Sequence, residues 1–300
     1  MEYTGLLKNY KVNRKLTQQE KENQLHQDTK LNIKISHELT VIEINSTYLE
    51  VVDKFFFWKG GLTTACSLLL VGIFVILIAF LRLIIIERSN EIEAWLALLF
   101  ACAVFSPLIW LFTRSIHKEI NLTHYPIRFN RNTRKIHVFR LDGSVLTANW
   151  DQVFFTQSLV TSKFWEFQGH ILAEDRETVL ETFALPILAA GPKAKEDFKG
   201  YWEFIRRYME EGPASVIDVI TGYLPIKQKK ETLAFCYHRV AFSLGSAINP
   251  LMLLYYIMYY PGRIPAMHYS KIPQWPREIE EQCSVNPNDP YFKDASSNPK

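Results

Sequence analysis

Hydrophobic and polar positions divide this chain sharply. Two uncharged apolar runs, Leu62–Leu81 and Ala94–Phe112, are 20 and 19 residues long and lie almost back to back. At about 1.5 Å rise per residue, each matches a hydrocarbon core roughly 30 Å thick. Lipid offers no hydrogen-bond partners, so each run must satisfy its backbone internally, which predicts a transmembrane helical hairpin. Just upstream, Tyr48, Val51, Val52, Phe55 and Phe56 recur at helical spacing. They predict a short amphipathic helix lying on the membrane surface. Phe55, Phe56, Phe57, Trp58, Trp95 and Trp110 supply the interfacial aromatics. A third uncharged run, Val240–Gly262, carries Ser243, Gly245, Ser246, Asn249 and Pro250. Proline interrupts a helix, so residues 240–260 could span, dip in as a broken helix, or pack on the surface.

Beyond the hairpin the period changes to two. Ile127–Asn130, Ile136–Arg140, Val145–Trp150, Val153–Thr156, Trp165–Ile171 and Thr178–Leu185 read as strands, with a turn at Leu141-Asp142-Gly143. Phe198, Tyr201, Trp202, Ile205, Tyr208 and Met209 then form one helical stripe over 195–211, opposite Glu203, Arg206, Arg207 and Glu210. Gly212-Pro213 is a suitable stop. Antiparallel strands followed by one amphipathic helix predict an α+β fold, a pleckstrin-homology-like β barrel or sandwich capped by that helix. Leu31, Ile33 and Ile35 alternate within Leu31–Ile44, which predicts a strand contributed across the anchor and a discontinuous soluble domain. The organisation expected is an N-terminal segment (1–59), the hairpin (60–112), a β-rich domain (113–213), a helical region (214–262) and a tail (263–300). Seven of the 14 prolines lie after Tyr260, so the tail should be extended and irregular.

Charge sets the expected orientation. Lys54 and Lys59 precede the hairpin, and Arg114, Lys118, Arg128 and Arg131 follow it. Only Arg82 and Arg88 occupy the connection, among Glu87, Glu91 and Glu93. The positive-inside rule therefore places both long ends in the cytoplasm, the N-terminus and main soluble domain included. The first 60 residues are polar, and no secretory signal peptide is read there. Cys66 and Cys102 fall in the apolar runs, Cys236 and Cys283 lie far downstream, and no CxxC pair occurs, so reduced thiols are expected. On that reading Asn45-Ser-Thr and Asn121-Leu-Thr are chance glycosylation sequons.

Candidate chemistry is sparse. The eight histidines are dispersed, and no HExxH, GxSxG, P-loop or GxGxxG string occurs. Adjacent carboxylates such as Glu174/Asp175 and Glu210/Glu211 are ordinary solvated pairs on this spacing. Neither a catalytic site, a metal nor a cofactor is expected, although an enzyme with a site assembled from distant residues is the third reading. A net charge of +3 is too weak to point to nucleic acid. The basic group Arg128, Arg131, Arg134, Lys135 and Arg140 lies close to the membrane exit. Anionic headgroups would attract each charge there by about 1 kcal/mol. The alternative is a positive-inside flank with ordinary surface arginines. Trp275, between Pro273 and Pro276, docks either on its own domain or on a partner. Gly72, Ala79, Ala97, Ala101 and Ala103 permit close helix approach, which the hairpin itself can use.

Two strings carry a resemblance. HYPIRFNRNTRKIHVFR (His124–Arg140), followed by Asp142-Gly143 and Trp150, resembles a family of uncharacterised proteobacterial two-helix membrane proteins. IPQWPREIEEQC (Ile272–Cys283), followed by Asp289-Pro290-Tyr291, looks like that family's ending. Members are found near type VI secretion and polymorphic toxin loci. The resemblance implies a bacterial inner-membrane binding protein, an immunity or accessory protein whose partners are the phospholipid bilayer and a cognate toxin. The competing class is a membrane-associated regulatory or lipid-sensing scaffold.

Overall fold

The computed structural model describes residues 10–86, 92–159, 164–190, 194–228, 230–232, 235 and 250–298. The chain separates into two compact units. One comprises residues 1–57, 124–229 and 272–300, and the other 58–123 and 230–271.

The smaller unit is helical. Helices α2 (Gly61–Ile86) and α3 (Ile92–Glu119) extend the two apolar runs and pack on each other. Helix α1 (Gln18–Glu22) belongs to the other unit. Both α2 and α3 are long and apolar enough to cross a membrane. Their side chains face outward: Leu68 is 60% exposed, Leu99 67% and Phe100 71%. The base of the pair is tied by Glu119, whose carboxylate accepts from the Gly60 and Thr63 amides at 2.9 and 2.6 Å. A carboxylate at these free N–H groups satisfies donors the helix cannot and complements its dipole. The start of α2 and the end of α3 therefore share one side.

Helix α5 (Pro250–Tyr269) packs on α2 in the same unit, whereas α4 (Ala194–Glu211) belongs to the larger one. Among the described residues this helix begins at Pro250, and it carries Pro261 and Pro265 within it. Residues 240–249 of the third apolar run lie outside the described residues. The approach of the two helices depends on glycine. A Cβ at Gly262 would lie 2.2 Å from the Gly60 carbonyl oxygen and 2.3 Å from Thr64 Oγ1. The Arg263 guanidinium, nearly buried, pairs with Glu231 at 2.6 Å and donates to the Lys59 carbonyl at 3.0 Å.

The larger unit holds two five-stranded antiparallel sheets. In the first, β1 (Arg14–Lys15), β10 (Thr178–Ala190), β9 (Phe164–Leu172), β8 (Phe154–Leu159) and β2 (Gln24–Leu25) are neighbours in that order. In the second, β3 (Val41–Ile44), β4 (Tyr48–Val51), β5 (Ile127–Asn130), β6 (Lys135–Phe139) and β7 (Val145–Asn149) follow chain order. Short helix α1 (Gln18–Glu22) begins at a Thr17–Glu20 capping box. Helix α4 (Ala194–Glu211) packs against β10 and β9.

One core joins these elements. Leu49, Val51, Ile127, Phe129, Ile136 and Val138 face it from the second sheet, and Phe155, Phe167 and Phe183 from the first. Phe198, Tyr201, Trp202, Ile205, Tyr208 and Met209, the helical stripe read from sequence, enter it from α4. Trp202 stacks on Trp150 and Phe167 with centroids 5.4 Å from each. Such aromatics dominate core energetics because each removes a large apolar area from water.

Several expectations are corrected. Among the described residues neither sheet closes into a barrel; two separate sheets and α4 share one core. The amphipathic surface helix at Tyr48–Phe56 is replaced over Tyr48–Val51 by strand β4. Leu49 and Val51 there face the core while Tyr48 and Glu50 face away, a period-two arrangement enforced by pairing with β5. The strand expected within Leu31–Ile44 is present at Val41–Ile44, while the alternating Leu31–Ile35 that suggested it forms none. On the polar side of α4 Glu203 is itself buried, paired with Arg206 at 2.8 Å and Arg207 at 2.7 Å. It also accepts the Leu31 amide at 3.0 Å. The tail is not uniformly irregular, since Arg263–Tyr269 completes α5 and Arg277–Gln282 forms α6.

Candidate functional site

The second sheet has two unlike faces. Its core face is apolar, whereas its outer face carries a charged row fixed by register: Glu43 opposite Glu50, Glu50 opposite Arg128, Arg128 opposite His137, and His137 opposite Thr147. Alternating polar residues on a strand ordinarily meet water. Here Glu43, Glu50, Arg128 and His137 are all buried, and the segment 272–298 covers the middle of the row, meeting Glu50 through Trp275 and Arg128 through Glu280.

That cover is pinned along its length. Lys293 and Ile44 exchange backbone hydrogen bonds at 2.9 and 3.0 Å. Asp289 accepts from the Ser46 amide and hydroxyl at 2.7 and 2.8 Å. The Asn130 side-chain amide donates to the Gln282 carbonyl at 2.8 Å and to Cys283 Sγ at 3.4 Å. Tyr48, Ile279 and Cys283 form a small apolar cluster beneath it. Burial pushes the Cys283 thiol above its ordinary pKa, which keeps it protonated.

Arg128 is the centre of the row. Its Nε donates to Glu50 at 2.7 Å and its Nη2 to Glu280 of the cover at 3.0 Å. The Tyr48 and Trp275 rings lie 4.6 and 4.8 Å from the guanidinium carbon. Trp275 also donates from Nε1 to Glu50 at 3.3 Å and meets Phe139 edge-on at 5.5 Å. Burial opposes the charge of Arg128, but Glu50 and its other neighbours outweigh it, so the guanidinium stays ionised. Nη1 is buried without an acceptor.

Beside it Lys227 donates to the Glu43 carboxylate and to the Tyr48 hydroxyl, at 3.1 Å for the latter, while that hydroxyl donates to Glu43. Burial, and Glu43 after it, hold the Tyr48 phenol protonated far above its usual range. Burial, with Lys135 and Arg128 nearby, depresses the His137 imidazole to about 4. A cleft of about 60 Å³ opens between Glu50, His124, Arg128, Lys227, Trp275 and Glu280. It has room for a few waters or for one small polar group.

The basic residues singled out from sequence do not form a common patch. Arg128 is buried in the row. Arg134 pairs with Asp151 and, at 2.7 Å, with Glu210, and donates to the Met209 carbonyl. Arg140 pairs with Glu181. Arg131 is half-buried beside Gly212, and Lys135 is half-buried at the start of β6. Trp275 docks on its own domain.

Other buried charges escaped the sequence reading. Lys54, counted there as a membrane-flanking charge, is buried against Glu166 and donates to the Tyr10 hydroxyl at 2.7 Å. Lys59 donates to the backbone carbonyls of Glu119 and Leu122. The buried imidazole of His170 lies between Thr182 of β10, at 2.8 Å, and Glu20 of α1, at 3.4 Å. No sequence motif marks these pairs, because each joins residues far apart in the chain. Among the described residues no three His, Cys, Asp or Glu side chains converge as a metal-holding group.

Comparison with known proteins adds one finding. The model of a family of unknown function, DUF6708, matches residues 103–287, more than half of the chain. No curated protein and no solved structure matches.

Proposed function

Since the chain belongs to the family of unknown function DUF6708, we propose that it is a membrane-anchored binding protein, an immunity or accessory protein for a cognate secreted toxin. The observation carrying the anchor is the α2–α3 pair, whose outward face is apolar over two membrane-length helices. Soluble proteins rarely leave so large an apolar surface uncovered. Lipid around the hairpin removes that cost. The inner-membrane location and the cytoplasmic placement of both ends extend the same reading through the positive-inside distribution. Lys54 and Lys59 weigh less in it now that both are engaged internally.

Binding is favoured over catalysis because the charged groups of the outer sheet face are engaged with one another, a scaffold for recognition more than a set of free acids and bases. The two strings that carry the resemblance build one place: His124–Arg140 supplies β5 and β6, and Ile272–Cys283 supplies the cover touching Arg128 and Phe139. That convergence supports a recognition surface there. The lipid-sensing alternative draws less support, since Arg128, Arg134 and Arg140 are already paired with carboxylates.

Co-expression with each candidate toxin from its gene neighbourhood tests the reading. Survival should rise by orders of magnitude in cells carrying the protein. Equal killing with and without it would overturn the immunity role.

A further inference from the structure

We propose that the cleft at Arg128 is a seat for a carboxylate side chain of a protein partner, a place that Glu280 holds in the free chain. The inference rests on the binding reading above and names the chemistry of its contact. Arg128 offers a guanidinium that cannot lose its charge and that the Tyr48 and Trp275 rings hold in one orientation. Its Nε is committed to Glu50, and this pair is buried on both sides, with side chains 1% and 4% exposed. The opposite edge is only half used. Nη2 donates to Glu280, and the buried Nη1 meets no oxygen acceptor, the Cys283 thiol being the guanidinium's other and much weaker neighbour.

A buried donor without an acceptor is costly, more so when it carries charge. A guanidinium edge of two parallel N–H groups matches the two oxygens of a carboxylate. Glu280 uses one oxygen on one nitrogen and leaves that match incomplete.

Glu280 is also the partner most easily exchanged. Its side chain is 52% exposed on the six-residue helix α6, whereas Arg128 is 1% exposed. An incoming carboxylate that takes both Nη1 and Nη2 releases Glu280 to water. The charge of the site is then unchanged, so the excess of Glu43, Glu50 and Glu280 over Arg128 and Lys227 does not grow on binding. Lys227, 35% exposed, stands at the rim as a second cation. A cleft of about 60 Å³ admits a carboxylate and a short stem, and is too small for most whole metabolites. An aspartate or glutamate side chain reaching in from a partner fits these limits.

The test uses the full-length protein in detergent micelles with 15N-labelled tryptophan, following the Trp275 indole N–H. N-acetylglutamate α-amide serves as the side-chain probe, N-acetylglutamine amide as its neutral counterpart, and acetate as a free carboxylate. The capped glutamate should shift the resonance saturably and the capped glutamine should not. Glu280→Gln, which removes the resident carboxylate and keeps its shape, should bind the probe about threefold to fivefold more tightly. Three results would overturn the proposal: no saturable shift in either protein, equal affinity in the two, or saturation by acetate alone. A silent titration removes the seat and leaves the toxin reading to its own co-expression test.

Discussion

The two units invert the usual distribution of residues in opposite directions. The helical unit exposes its apolar side chains, with Ile78 62% and Trp110 62% exposed. The sheet unit buries its charges, with Glu43, Glu50, Lys54, Arg128, Glu166 and Glu203 all inside. Each inversion has its own remedy. Exposed apolar helices are stable where the solvent is lipid, because their backbones are satisfied internally. Buried charges persist where each meets an opposite charge and further hydrogen bonds. One unit therefore depends on its surroundings and the other on complementarity within the chain.

Removing one partner from the buried row should have the largest effect. Arg128→Ala leaves Glu50 buried without its cation and should cost about 3–5 kcal/mol in the sheet unit, read by chemical denaturation in detergent. The hairpin should tolerate the same substitution, which is the sharpest test that the two units differ. The converse change is Val75→Arg near the middle of α2, at a position 60% exposed. A charge there should disfavour insertion by about 2.5–3.5 kcal/mol, lowering the membrane-integrated fraction while the sheets stay folded.

Acid separates the units less strongly. Burial depresses His37 and His137 to about 4, below the ordinary imidazole value. Both are neutral when folded, so the unfolded chain binds more protons between the ordinary value and about 4. Their contribution is complete above the ordinary value and is lost as pH falls toward 4. Denaturation midpoints of the sheet unit should fall across that window, and His137→Gln should flatten the decline. The smallest effect belongs to Glu280→Gln: its half-exposed pairing should contribute under about 1 kcal/mol to stability. A loss as large as that of Arg128→Ala would make Glu280 part of the buried scaffold.

What could be read from sequence follows the range of the interactions. The hairpin is legible from length and polarity alone, since lipid needs only those. Ile127–Asn130 and Val145–Asn149 are legible because alternation is local, as is the stripe of α4. Tyr48–Val51 misleads because Tyr48, Val51 and Val52 fit a helical face as well as a strand. The deciding contact, pairing with β5, lies across the whole hairpin. The charged row was invisible for a related reason. Arg128 and His137 alternate with core residues as solvent-facing groups should, and the cover that meets Arg128 comes more than a hundred residues later. The basic cluster looked free for the same reason. Its carboxylates, Glu50, Glu181, Glu210 and Glu280, come from four separate parts of the chain.

Alkaline carbonate extraction of membranes from cells producing the full-length chain tests the anchor most directly. An inserted hairpin keeps the protein in the pellet until detergent is added. Recovery in the carbonate supernatant would contradict membrane insertion and leave the apolar face of α2 and α3 to some other cover.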